Sequence, residues 1–178
     1  EIHDPPVQAS GFDHFMKEVM IAAERFPSAR FIIRGKNLEW ISTSTGAPLF
    51  AALSAAPNIR VDENYEVEGR SYKLCQSATV ILAKYTSLVD ECILAGIPTL
   101  IHDYTRNSSG RFLRTNSYIP RNRFCLSRNE MLSALEDKLI LNSSGFKRRK
   151  ESSRLCDGMV RQRIRVDVEA YLQRFRPR

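Results

Sequence analysis

The chain has 178 residues, 43% hydrophobic and 26% charged, which suits one folded domain with a full apolar core and excludes a chain too polar to collapse. No apolar run approaches the roughly 18 residues a bilayer-crossing helix needs, and nothing resembles a signal peptide. Residues 146–178 hold 11 Lys or Arg against 4 Asp or Glu, so the whole formal charge of +7 sits there and the body is neutral; the basic balance describes a terminal segment and is no sign of nucleic acid wrapped around the entire domain.

In chain order, Glu1-Ile-His-Asp4-Pro5-Pro6 reads as the tail of a strand. With a chain that starts at Glu1, this gives the expectation of a portion of a longer protein. Ser10 and Asp13 are placed to cap a helix whose Phe12, Met16, Val19, Ala23 and Phe26 share one stripe, with Pro27 ending it. Ala29–Ile33 is a strand, Ala47–Ala56 a short helix, Ile59–Val61 a strand, and Ser71–Ser77 a brief helix. Strand Thr79–Ala83 follows, then a helix from Ser87, strand Pro98–Ile101, a polar loop to about Arg123, strand Phe124–Leu126 and helix Asn129–Leu139 capped by Ser127 or Asn129. This alternation predicts an α/β domain over 1–145, a Rossmann-like parallel sheet with helices on both faces. Residues 146–178 are expected to form basic C-terminal helices packing on it, since Val160, Ile164, Val168, Tyr171 or Leu172 and Phe175 recur at helical spacing. Cys75, Cys92, Cys125 and Cys156 make no CxxC pair and read as reduced, mostly buried thiols of a cytoplasmic protein.

Residues 79–101 carry the most chemistry. The apolar run Thr79–Ala83 suits a strand buried on both faces, and polarity changes abruptly at Lys84-Tyr85-Thr86-Ser87. Thr86 or Ser87 can cap the next helix, Asp90 puts acid in its first turn, Gly96 stops it and Pro98 opens the following strand. A helix that begins directly after a parallel strand aims its free N–H groups at the sheet's carboxyl edge, where phosphates are held. Ser87 and Glu91 share a face of that helix, so a hydroxyl can meet phosphate while a carboxylate one turn deeper accepts both ribose hydroxyls. The plain alternative is that they only cap and solvate the helix.

The order Lys84-Tyr-Thr-Ser-Leu-Val-Asp-Glu-Cys-Ile-Leu-Ala-Gly-Ile-Pro-Thr-Leu100 resembles the nucleotide-binding signature in the C-terminal half of GT-B glycosyltransferases and of related capsule and teichoic-acid type glycerophosphotransferases. The shared pattern is a Ser/Thr pair, an acidic residue one turn on, then Gly-x-Pro and a strand. The resemblance implies that Thr86 and Ser87 meet the donor phosphates and Glu91 the donor ribose. It implies no cofactor, a CDP-, CMP- or UDP-linked donor as substrate, and an acceptor domain upstream. It further implies a cytoplasmic chain, peripheral at the inner face of the plasma membrane. Capsule and teichoic-acid members often carry a Lys-Pro-His-Pro type motif where this chain reads Arg34-Gly-Lys36-Asn37, so no histidine is supplied there.

Ligands of such sheets bind beyond the strand carboxyl ends, which gathers Arg34 and Lys36, Glu63–Tyr65, Lys84 to Ser87 and His102 to Tyr104 on one edge. Lys84 or Arg34 would neutralise a departing diphosphate; the alternative for each is a solvated loop charge. His102, beside Asp103, is the catalytic candidate, to steady a phosphate or move a proton, against the reading of a hydrogen-bonded structural histidine. No Asp-x-Asp cluster is present, so no metal is expected. The long loop 103–123 brings Arg106, Arg111, Arg114, Arg121 and Arg123 together with Phe112 and Tyr118 as a lid or binding loop. Three readings follow: the donor-binding half of a transferase, a nucleotide-sugar epimerase half-domain, and a non-catalytic basic module for membrane or nucleic acid. Of the tail's two anionic partners, a membrane surface is expected rather than nucleic acid.

Overall fold

The computed structural model describes residues 6–35, 38–64, 66–84, 86–104, 110, 113–114 and 119–143. The chain is α/β, with all strand pairings parallel among the described residues. Its elements run α1 (Pro6–Arg25), β1 (Phe31–Ile33), a 3-10 turn (Glu39–Ser42), α2 (Gly46–Ala55), β2 (Ile59–Val61), α3 (Arg70–Ser77), β3 (Ile81–Ala83), α4 (Ser87–Leu94), β4 (Thr99–His102), a second 3-10 turn (Arg121–Arg123), β5 (Phe124–Cys125) and α5 (Arg128–Ser143).

The single expected sheet is divided in two. β1 pairs with β2, Ile32 opposite Arg60, and β3, β4 and β5 form a second sheet in that order. The ladders stop because these strands are two to four residues long and each forms its backbone bonds with the neighbour it has. Side chains make the junction instead: Phe31 of β1 and Leu82 of β3 pack against both of the larger apolar clusters.

Alternation along β4 explains the layering, because successive strand side chains point to opposite faces. Leu100 joins Ala22 of α1 with Met131 and Leu135 of α5, whereas Ile101 joins Val89 of α4 and Phe124. The three-stranded sheet is therefore covered on both faces. Beside it, Phe15, Met16, Val19 and Ala23 of α1 meet Leu49 and Leu53 of α2 over Ile33 and Ile59. The other face of the two-stranded sheet is more open, with Ile32 at 45% exposure.

Local chemistry sets the element ends. α1 starts at Pro6, four residues before the Ser10 cap expected from the sequence. Proline suits a first helical turn, where its missing N–H leaves no bond unmade. At the other end the Asn58 amide donates to the carbonyls of Ala23 at 2.9 Å, Ala29 at 3.1 Å and Phe26 at 3.2 Å, pinning the exit of α1 to the start of β2. α2 begins at Gly46, whose added Cβ would lie 1.7 Å from the Trp40 carbonyl oxygen, so only glycine fits. Gly96 ends α4 at φ +70, with its N–H on the Ile93 carbonyl at 3.0 Å and the Ile97 N–H on that of Cys92 at 2.9 Å, as a left-handed stop requires. Ser127 is the cap of α5: its Oγ accepts the Glu130 N–H at 3.2 Å, and the Glu130 carboxylate accepts the Leu126 N–H at 2.9 Å. The expected basic helices of 146–178 lie outside the described residues, and no helix among the described residues is long and apolar enough to cross a membrane.

Candidate functional site

Beyond the carboxyl end of β3 comes Lys84, then Thr86 as backbone N-cap of α4. Thr86 has extended backbone and its side chain makes no capping bond; its carbonyl accepts the Val89 N–H at 2.9 Å. Thr86 and Ser87 are both exposed. The hydroxyls are thus beside the first turn of α4 without being spent on closing it. Lys84 is partly buried, and burial pushes its ammonium down from the usual lysine value; among the described residues no carboxylate is set against it. Burial without a carboxylate set against it among the described residues makes the charged ammonium less favourable than in water.

Glu91 is exposed one turn further along α4. It faces Tyr72 of α3, and hydrogen bonding to Glu91 first, then the Glu91 charge, hold the Tyr72 phenol above its ordinary value. Cys75 and Cys92 approach one another along the same seam, and burial pushes the Cys92 thiol up to about 12, so it stays an inert thiol. These contacts join α3 to the second turn of α4.

Arg34, just past β1, is held rather than loose. Its Nη1 donates to Asp62 Oδ2 at 2.9 Å and its Nε to Ser71 Oγ at 3.1 Å. Asp62, past β2 and 2% exposed, also takes Arg70, with Nε at 2.9 and 3.0 Å and Nη2 at 2.8 Å. Hydrogen bonding and charge from Arg70, then the charge of Arg34, outweigh burial and keep the Asp62 carboxyl below its ordinary range. Neither Asp62 nor Arg70 stands out in the sequence; the signal available was only their place, past a strand and at a helix start.

His102 closes β4 and is fully buried. Its ring lies 4.0 Å from Tyr104, 5.0 Å from Phe15 and 5.7 Å from His14, centroid to centroid, and neither ring nitrogen has a hydrogen-bond partner among the described residues. Burial first, then the charges of His14 and Lys84, lower its pKa to about 4, so the imidazole is neutral near pH 7. The ring packs beneath the site, in its neutral form near pH 7.

Next to it stands a buried carboxylate that sequence reasoning did not single out. Glu18 of α1 is 1% exposed and accepts Arg128 Nε at 2.8 Å, Arg128 Nη2 at 2.7 Å and the Tyr104 hydroxyl at 3.1 Å. The Arg128 hydrogen bonds hold Glu18 ionised below the usual carboxylate range against its burial. This fork locks α1 to α5. Asp103 is also fully buried, with its Oδ2 accepting the Leu113 N–H at 3.2 Å.

Of the residues expected at the site, Lys84, Thr86, Ser87 and Glu91 gather along β3 and α4, Arg34 lies on the neighbouring Asp62 cluster, and His102 lies beneath. Lys36 and Tyr85 are outside the described residues, as is most of the 103–123 loop. An open groove of about 360 Å³ lies elsewhere, between α2 and β2, lined by Phe50, Ser54, Arg60 and Glu63 among others. No protein-family model, no curated protein and no solved structure matches the chain.

Proposed function

We propose that this chain binds a nucleotide-activated donor at the carboxyl edge of β3. In this reading it is the donor half of a GT-B type transferase, moving a glycosyl or glycerophosphoryl group onto a surface polysaccharide or similar acceptor. The observation that carries the reading is Lys84, a partly buried ammonium with no carboxylate against it among the described residues, placed at the turn into α4. The Thr86 side chain, which makes no capping bond, and the exposed Ser87 support it, because a phosphate there would meet hydroxyls, backbone N–H groups and a cation together. Exposed Glu91, one turn deeper, suits the vicinal hydroxyls of a ribose.

Charge develops on the departing phosphate as the transferred group leaves, and Lys84 is placed to offset it. The reading takes no metal or cofactor, draws the acceptor and the catalytic base from a domain upstream, and puts the chain in the cytoplasm against the inner face of the plasma membrane.

Calorimetric titration with CMP, CDP, UMP, UDP and GDP tests this. One nucleotide is expected to bind selectively, with Lys84→Gln weakening it on the order of tenfold or more. Glu91→Ala is expected to weaken nucleotides but not free pyrophosphate. No nucleotide binding by the folded chain, or binding indifferent to both substitutions, removes the donor assignment.

A further inference from the structure

Two strand edges flank the junction between the sheets. On β1 the Phe31 N–H donates to the Asn58 carbonyl at 2.8 Å and the Ile33 carbonyl accepts the Asp62 N–H at 2.8 Å, so both residues turn their backbone groups toward β2. Backbone groups alternate sides along a strand, and those of Ile32 point away from β2. On β3 the Ile81 N–H donates to the Pro98 carbonyl at 2.8 Å, beside β4, and the same alternation turns Leu82 the other way. Among the described residues no strand pairs on either of these sides. Burial agrees: β4 is buried throughout, whereas all three residues of β3 are only partly buried and Ile32 is 45% exposed. An unpaired edge is a template for one further strand.

The two edges form one slot with one direction. Phe31 and Leu82 pack against the same two apolar clusters, which makes β1 and β3 its walls. α1 lies over it, because Val19 and Ala23 join Ile33 and Ile59 on one side while Ala22 joins Leu100 on the other. His14 of α1 lies beside His102 at the end of β4, and the Ala23 and Phe26 carbonyls accept the Asn58 amide at the start of β2. α1 therefore runs antiparallel to both sheets, and β1 to β5 all point the same way.

The hand of the connections names the occupant. α1 and α2 cover the same face, over Ile33 and Ile59, and the crossover through α2 carries the chain from β1 to β2, away from the slot. Parallel crossovers keep one hand, so the strand that feeds α1 lies on the other side of β1, in the slot. The residues upstream of α1 are Glu1-Ile2-His3-Asp4, whose sequence reads as the tail of a strand. We propose that residues 1–4 dock between β1 and β3 as a parallel strand and join the two sheets into one, in the order β2, β1, docked strand, β3, β4, β5. Residues 5–9 then connect to Ser10, the cap that the sequence offers, so that the first turn of α1 gives way to a βα loop of ordinary length. Strand order reverses between the docked strand and β3, which leads into Lys84, and open α/β sheets take ligands at such a reversal. The docking rests on the backbone edges and not on the donor reading.

The test is hydrogen exchange of backbone amides, read by NMR on the whole chain and on chains that carry Ile2→Pro or lack residues 1–5. Proline removes a ladder donor and leaves the rest of the chain unchanged. The Ile32 and Leu82 amides are expected to exchange on the order of tenfold or more slower in the whole chain than in either altered chain. The Ile81 amide, bonded to Pro98 with or without the docked strand, stays protected and reports that each chain has folded. Equal exchange of Ile32 and Leu82 in the whole chain and a folded altered chain overturns the docking. So do Ile32 and Leu82 amides in the whole chain as labile as those of an unstructured peptide. Protection that rises with protein concentration, alongside a dimer in sedimentation, overturns it in favour of a strand from a second copy.

Discussion

His102 shows how a single residue trades stability against surroundings. Its imidazole is fully buried with both nitrogens unbonded among the described residues, an arrangement that ordinarily costs about 1–3 kcal/mol. The pH dependence follows from its pKa, lowered from 6.5 to about 4 by burial and neighbouring positive charge. Between those values the unfolded chain binds a proton that the native chain does not, so stability falls as pH drops through the window. The carboxyls of Glu18 and Asp62, held below 4.5 and 3.8, add their losses only at lower pH. His102→Phe keeps the ring contacts and removes the unbonded nitrogens. Urea unfolding is expected to show a gain of about 1–2 kcal/mol at pH 7 and a flatter slope from pH 6.5 to 4.5. A slope equal to wild type would mean that another group titrates there. Sequence position identified His102 as a strand-end histidine, but burial, which decides its protonation, depends on Phe15 and Tyr104 arriving from other elements.

At the scale of elements, the signals at Ser127 and Gly96 were legible in the sequence, whereas the caps expected from Ser10 and from the Thr86 side chain were not formed as expected. Ser127 with Glu130, and Gly96 before Pro98, act where the sequence puts them because each motif satisfies backbone groups within a few residues. The start of α1 was not legible, since Ser10 is an acceptable cap residue and helical spacing does not reveal how far the helix extends upstream. Asn58 was missed for a different reason: its partners are 29 to 35 residues away. Asn58→Ala leaves the carbonyls at the end of α1 without this donor and is expected to cost about 1–3 kcal/mol in denaturant unfolding. Wild-type stability in that variant would show that water replaces the amide without loss.

For the whole molecule, charge separates body from tail, with the entire formal +7 in residues 146–178. Such a segment is expected to be attracted to anionic lipid, with an attraction that falls with salt. Full-length chain is expected to sediment with vesicles containing phosphatidylglycerol at low salt, to detach at about 0.5 M salt where the screening length is a few ångströms, and to lose binding when 146–178 are deleted. Retention by the deleted chain would move the membrane contact to the body. The two parallel sheets also belong to this scale: alternating elements predict parallel strands, but whether adjacent strands share a ladder depends on backbone distances that side chains such as Phe31 and Leu82 set.

The sequence by itself determined the alternation of strands and helices, the turn from Lys84 into α4 and the location of the charge, because each depends on neighbours along the chain. The tertiary structure alone decided which charges are spent and which remain. Arg34 is clamped by Asp62, Glu18 is held by Arg128 across 110 residues, and Lys84 meets no carboxylate among the described residues. Electrostatic function is a remainder after pairing, and pairing partners are chosen by the fold.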